Sequence, residues 1–224
     1  YLIDKIFKNM KKQKICIIGD GLAGLTTALT LKNLDLDIDL FYKKGGLKSK
    51  KDNRTTAVSD SNYQFLKKNL KLKSIKQFWA CKKVELFYQK EKKIINFLNL
   101  SEENKSLMQI FKNDKFKNTL IKQIKKEKKI KFIGIKSISI NPENCFVKYD
   151  RKTNKYDLII LCTGRNSSLY RELNINRSIS KDYKEIAITG EVKHNSNIIN
   201  ASQYFFKEGP FAILPFQKKK FSFV

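Results

Sequence analysis

The 224 residues, 41% of them hydrophobic, can bury one large core or two small ones, which excludes a disordered chain. No apolar run reaches the roughly 18 residues of a membrane-spanning helix and no uninterrupted signal core opens the chain, so a cytoplasmic protein is expected. The net charge of +26 raises nucleic-acid binding as a class, yet only five of the 47 basic residues are arginine (Arg54, Arg151, Arg165, Arg171 and Arg177) and the lysines are spread throughout, so no nucleic-acid partner is expected.

Met10, standing before Lys11-Lys12-Gln13-Lys14, reads as the natural start of a chain that here begins at Tyr1. Ile15 to Ile18 is a mostly β-branched run suited to a parallel strand covered on both faces. Leu25, Ala28, Leu29 and Leu31 then fall at helical spacing, and Leu36 to Tyr42 alternates as a second strand, completing a βαβ unit. After a polar stretch, a helix is predicted over Asp60 to Leu70 with Ser59 or Asp60 as N-cap. Segment 78–100 reads as strands, with Val84 to Tyr88 and Ile94 to Leu98 separated by a charged turn.

A basic amphipathic crossover helix is predicted from Asn113 to about Lys129, feeding a strand at Ile130 to Ile133. A hairpin over Lys136 to Ile140 and Cys145 to Tyr149 follows, then the apolar strand Tyr156 to Leu161 ending in Cys162-Thr163-Gly164. Beyond Leu173 the pattern turns to longer strands, Tyr183 to Val192, Gln203 to Lys207 and Phe211 to Phe216, expected to share a sheet with segment 78–100. The final residues, Phe221 to Val224, alternate like a strand that stops without a turn, which reads as an incomplete protein.

The first strand and helix enclose Gly19-Asp20-Gly21-Leu22-Ala23-Gly24, a GxGxxG dinucleotide fingerprint in its confirming context. Gly19 permits the tight turn, Gly21 lets a pyrophosphate approach the backbone, and Gly24 lets helix and strand pack closely. The start of the helix, Leu22 and Ala23 included, supplies N–H donors and a positive dipole end. An acid normally ends the second strand to hold the ribose, but Tyr42 stands there. Asp37 and Asp39 come earlier and are expected on a solvated face. The four cysteines, Cys16, Cys81, Cys145 and Cys162, are scattered with no CxxC pair, so reduced structural thiols and no metal site are expected. His194, the sole histidine, lies in a polar stretch and reads as solvated.

Three further segments carry a family resemblance. Asp52-Asn53-Arg54-Thr55-Thr56-Ala57-Val58-Ser59 resembles the D-x-R-x-x-A-L-S segment of flavin-dependent aromatic hydroxylases, particularly those of ubiquinone biosynthesis. Tyr156 to Ser167 is similar to the family's strand ending in A-D-G-x-x-S, with Thr163 in place of the aspartate and Gly164 kept. Asn200 to Phe205, with Gly209 to Phe216, resembles its A-x-x-R-F and G-P-L-A-L-L-P-L strands.

The resemblance implies an α/β fold in which a Rossmann-like FAD-binding domain with a parallel sheet, over 10–75 and 105–172, is interleaved with a mixed-sheet substrate domain over 76–104 and 173–224. It implies FAD as cofactor and NAD(P)H with O₂ as co-substrates, and it gives Arg54 the FAD diphosphate and Gly164 a cofactor contact. The substrate implied is a polyprenylated aromatic quinone precursor, with peripheral contact to the inner membrane and a multi-enzyme complex as further partners. Segments that close over the flavin would follow Val224, so an incomplete FAD site is expected, and no catalytic side chain is assigned because the flavin does the chemistry. Trp79, Phe205, Phe206, Phe211 and Phe216 are candidates for an apolar quinol pocket or for core. A prenyl reductase on the same domain, or a basic nucleic-acid-binding protein using the fold as scaffold, are the alternatives.

Overall fold

The computed structural model describes residues 12–45, 52–71, 77–164, 168–173 and 184–224; Met10, Arg165 to Ser167, Arg177 and Tyr183 lie outside them. The chain divides into two compact units, Tyr1–Lys50 with Thr119–Ser180 and Lys51–Asn118 with Lys181–Val224.

The first segment forms β1 (Gln13–Ile18), α1 (Leu22–Leu31) and β2 (Leu36–Lys43). The second forms β3 (Thr55–Ser59), α2 (Asp60–Leu70), β4 (Phe78–Cys81), β5 (Lys83–Lys90), β6 (Lys93–Ser101) and β7 (Met108–Lys112). Helix α2 has the expected bounds because its ends are locally encoded. The Ser59 side chain accepts from the Asn62 N–H at the start, and Lys71 closes the end in the left-handed region, at φ 47°.

Next come α3 (Asn113–Ile124), β8 (Ile130–Ile135), β9 (Ile138–Asn141), β10 (Phe146–Tyr149), β11 (Lys152–Lys155), β12 (Leu158–Leu161) and the short α4 (Ser168–Glu172). Helix α3 ends before the expected Lys129 because its last turn tightens, with Lys126 N–H donating to Gln123 O and Glu127 N–H to Ile124 O. The last segment holds β13 (Gly190–Lys193), β14 (Ala201–Phe206), β15 (Gly209–Gln217) and β16 (Lys220–Phe223). The strand expected from Tyr183 is therefore shorter. Ile186 and Ile188 alternate correctly but are 90% and 71% exposed, with no sheet among the described residues to bury them.

In the first unit a four-stranded parallel sheet has the order β12-β1-β2-β8. The chain leaves β1 towards β2 and β8 and returns on its other side as β12, so β1 is the topological switch point where α/β sheets bind ligands. Leu25, Ala28 and Leu29 of α1 are fully buried. A second core joins Cys16, Ile18 and Phe41 to Val147, Tyr149 and Tyr156 of the β9-β10-β11 antiparallel sheet and its flank.

In the second unit the sheet β13-β16-β15-β14-β5-β6 is mixed, since β14 runs parallel to β5 while the other neighbours are antiparallel. This is the shared sheet expected from the sequence. A three-stranded sheet β3-β7-β4 lies in the same unit and pairs Thr55 to Ser59 with Met108 to Lys112. Its apolar residues join Cys81, Ile110, Ala201 and Phe216, with Trp79 and Leu214 against them, so Trp79 and Phe216 are core. Phe206 and Phe211 instead belong to an aromatic row with Phe87 and Tyr204, whose rings stack at 4.7 Å.

Candidate functional site

The turn after β1 is built by exclusion of side chains. A Cβ on Gly19, whose φ is +121°, would stand 2.3 Å from the Cys162 carbonyl oxygen, and one on Gly24 would stand 1.9 Å from the Gly19 oxygen. Both positions therefore require glycine, and the strand ends β1 and β12 meet α1 at backbone distance. Gly21 differs: its backbone is extended, at φ −71° and ψ 175°, and nothing lies within 4 Å of where its Cβ would be. The first turn of α1, from Leu22 through Ala23 to Gly24, has no side-chain cap and no acidic residue, so its N–H groups and dipole end are left for an anion.

A cavity of about 740 Å³ opens at the carboxyl ends of all four parallel strands, touching Gly19 and Asp20 after β1, Tyr42 and Lys43 on β2, Lys136 after β8 and Gly164 after β12. Gly164 has φ +78° and open space beside it. The Thr163 hydroxyl is buried there without a hydrogen-bond partner among the described residues. A crevice-forming glycine turn, an uncapped helix start and an orphaned hydroxyl together fit a dinucleotide pyrophosphate.

The ribose end departs from the usual pattern. Tyr42 packs on Phe132 with ring centroids 4.3 Å apart, and its ring lies across Gly134, where a Cβ would come within 2.8 Å. Asp37 is exposed and pairs with Lys12 at 3.0 Å, but Asp39, expected on a solvated face, is 3% exposed. It accepts a 2.7 Å hydrogen bond from the Tyr156 hydroxyl and lies 3.2 Å from the Lys14 ammonium. Burial and this carboxylate both push the Tyr156 phenol pKa up. Tyr156→Phe removes one donor from a buried carboxylate and is expected to lower stability by about 2 kcal/mol, read by urea denaturation; an unchanged midpoint would mean Lys14 alone satisfies Asp39.

Arg54 belongs to the second unit. Its guanidinium donates to Asp52 twice at 2.8 Å, and Asn113 also donates to Asp52, at 3.3 Å. The Arg54 hydrogen bonds hold the Asp52 carboxyl at about 2, below the usual 3.8. A depressed carboxyl stabilises the fold fully above its ordinary value and loses that contribution as pH falls through the two. The pair is solvent-screened, Arg54 being 68% exposed, so the loss between about pH 4 and 2 should be about 1 kcal/mol or less. Acid titration of stability should be correspondingly flatter in Asp52→Asn.

His194 is not solvated as expected. It packs on Phe221 with centroids 5.4 Å apart, and both ring nitrogens are buried without a hydrogen-bond partner among the described residues.

No family model matches the chain, and no curated protein matches it in sequence. Solved structures do match in fold. PqsL from Pseudomonas aeruginosa, described as a probable FAD-dependent monooxygenase, superposes with a TM-score of 0.76 at 11% identity over 95% of this chain and 60% of its own. The complex of P. aeruginosa PqsL with 2-aminobenzoylacetate gives 0.78 at 10% identity, with the same coverage. The tetrameric form of 2-methyl-3-hydroxypyridine-5-carboxylic acid oxygenase gives 0.74 at 15% identity over 95% of this chain and 58% of that one. The chain thus shares the α/β fold of these structures and spans about 60% of their length.

Proposed function

We propose that this chain forms the cofactor-binding unit and the substrate sheet of an FAD-dependent monooxygenase. The observation that carries the reading is the turn from Gly19 to Gly24 at the switch point, closed at Gly19 and Gly24 and open at Gly21. Within it, Gly19, Gly21, Leu22, Ala23 and Gly24 would hold the pyrophosphate through backbone N–H groups, and Gly164 would leave room beside it. Arg54 is fixed by Asp52 within the second unit, and a diphosphate role for it rests on the family resemblance alone. Bound FAD would supply O₂ activation with electrons from NAD(P)H.

The substrate class in this reading is the aromatic ring of a polyprenylated quinone precursor, on the ubiquinone-biosynthesis resemblance of Arg54, Gly164 and the strands β14 and β15. The aromatic row Phe87, Tyr204, Phe206 and Phe211 gives an apolar wall suited to such a ring. Peripheral membrane contact is supported by Ile94 and Phe97 on β6, 55% and 50% exposed beside the lysines of the β5–β6 turn. Among the described residues no helix is long and apolar enough to cross a membrane.

Flavin-fluorescence titration of the purified chain tests the reading. FAD should bind saturably and be displaced by ADP, since the contacts assigned to the first unit are to the ADP half. Absence of saturation, or binding that ADP cannot displace, would overturn it.

A further inference from the structure

The two edges of the six-stranded sheet in the second unit are built differently. Edge strand β13 has only four residues, two of them Glu191 and Lys193, and Glu191 pairs with Lys112, so it is short and charged as protected edges are. Edge strand β6 has nine residues, and from Ile94 to Ser101 it holds no charge, no proline and no glycine. Every residue of it but Ile95 is exposed, with Phe97, Leu98 and Leu100 at 50%, 42% and 44%. An open edge of this kind presents a row of N–H and C=O groups that another strand can satisfy along its whole length.

The centre of β6 carries a bulge. Asn96 pairs with Phe87 and Leu98 with Leu86, so Phe97 is an extra residue. Phe97 meets Tyr88 with ring centroids 5.7 Å apart and Phe205 at 6.1 Å, while Leu98, Leu100 and Ile95 stand opposite Leu86, Val84 and Tyr88. Ile95, Phe97, Leu98 and Leu100 therefore share one face of the sheet. Asn96 and Asn99 lie on the other, and each donates to the other's amide oxygen, at 3.2 and 2.8 Å. Two copies of β6 meeting antiparallel about a two-fold axis must keep matching faces together. Only one register does so over all of Ile94 to Ser101: Ile95 opposite the partner's Leu100, Asn96 opposite the partner's Asn99, Phe97 opposite the partner's Leu98. The same register carries Lys92 and Lys93 of one copy to the partner's Glu103 and Glu102, and all four are exposed.

We propose that β6 is a homodimer contact, paired antiparallel in this register with β6 of a second copy so that the two six-stranded sheets become one continuous sheet. Charge selects the occupant. The lysines before β6 and the glutamates after it complement each other when the strand meets itself in reverse, and the apolar residues then lie beside apolar residues. A lipid surface fits this rim less well, because hydrocarbon offers no partner for backbone groups and Glu102 and Glu103 would meet anionic headgroups. Pairing covers the rim and leaves the faces of the sheet open, so the Ile94 side chain stays available to a membrane. The inference does not depend on the cofactor reading.

Sedimentation velocity on the purified chain tests it. The wild type should dimerise with a dissociation constant on the order of 10 µM, since a single strand pair is smaller than a standard interface. Lys92→Glu/Lys93→Glu and Glu102→Lys/Glu103→Lys each set like charges opposite one another, and each alone should dimerise about tenfold or more weakly. Mixed in equal amounts, the two variants restore the charge pairs at both ends, and the mixture should regain wild-type affinity as a heterodimer. All four side chains are exposed, so melting temperatures measured below the dimer range should match and check that the fold is intact. A wild type still monomeric at about 300 µM, variants that dimerise as the wild type does, or a mixture no tighter than its components would each overturn the proposal. A chain that stays monomeric in solution and sediments with phosphatidylglycerol vesicles would give the strand to a lipid surface and overturn it as well.

Discussion

Gly21→Trp is expected to abolish FAD binding while shifting the melting temperature by no more than about 2 °C. The two halves of this result come from one geometric fact. A Cβ at Gly21 meets nothing within 4 Å, and the backbone is already in an extended conformation open to any residue, so the fold has no objection to a side chain. In the proposed reading the same open space is where a pyrophosphate approaches the start of α1, and an indole there would exclude it. Fluorescence titration and thermal unfolding of one preparation separate the effects. Binding equal to wild type would remove the fingerprint turn from the site; a collapsed melting temperature would mean the space is needed by the fold.

Gly24→Ala should behave in the opposite way, with a loss of stability of about 3 kcal/mol or more. Two effects compete. Alanine at a helical position gains roughly 1 kcal/mol over glycine from backbone entropy. Against this, the new methyl would sit 1.9 Å from the Gly19 carbonyl oxygen and 3.2 Å from the Cys162 Cβ, and the first of these is backbone in a turn that cannot retreat. Forcing α1 away from β1 would also uncover Leu25, Ala28 and Leu29, all fully buried. The steric effect should win, and the sign of the change in urea midpoint decides. A stabilised variant would show that the helix can slide off the strand at little cost.

The parts of this fold that were legible in the sequence are those whose cause lies within a few residues. The β1–α1–β2 unit follows from a β-branched run, a glycine turn and helical spacing, and α2 from the Ser59 cap and its bounded pattern. The illegible strands owe their form to distant partners. Thr55 to Ser59 becomes β3 because it pairs with Met108 to Lys112, and the wholly polar Lys152 to Lys155 becomes β11 because it folds back on β10. The site divides the same way. The glycine positions were readable from spacing, whereas burial of Asp39 depends on Tyr156, 117 residues away, and no local pattern announces it. Alternation placed Asp39 on an outer face, but that face is covered by Tyr149 and Tyr156. For His194 the misleading signal was its polar sequence neighbours, which say nothing of Phe221 packing against it.

The parallel pairing of β5 with β14, where Val84 stands beside Ala201, sets a timetable for synthesis. A hairpin can close as soon as its second strand leaves the ribosome, and β5 with β6 can do so early. The other edge of β5 has to wait until more than a hundred further residues have been made, and non-local pairings of this kind are slow. During that interval the β5 edge, with Leu86 and Phe87 along it, stands open to any other strand in reach. Chains on one polysome present this edge together, so the yield of folded protein should depend on translation speed across 102–200 and on chaperones that shield strand edges.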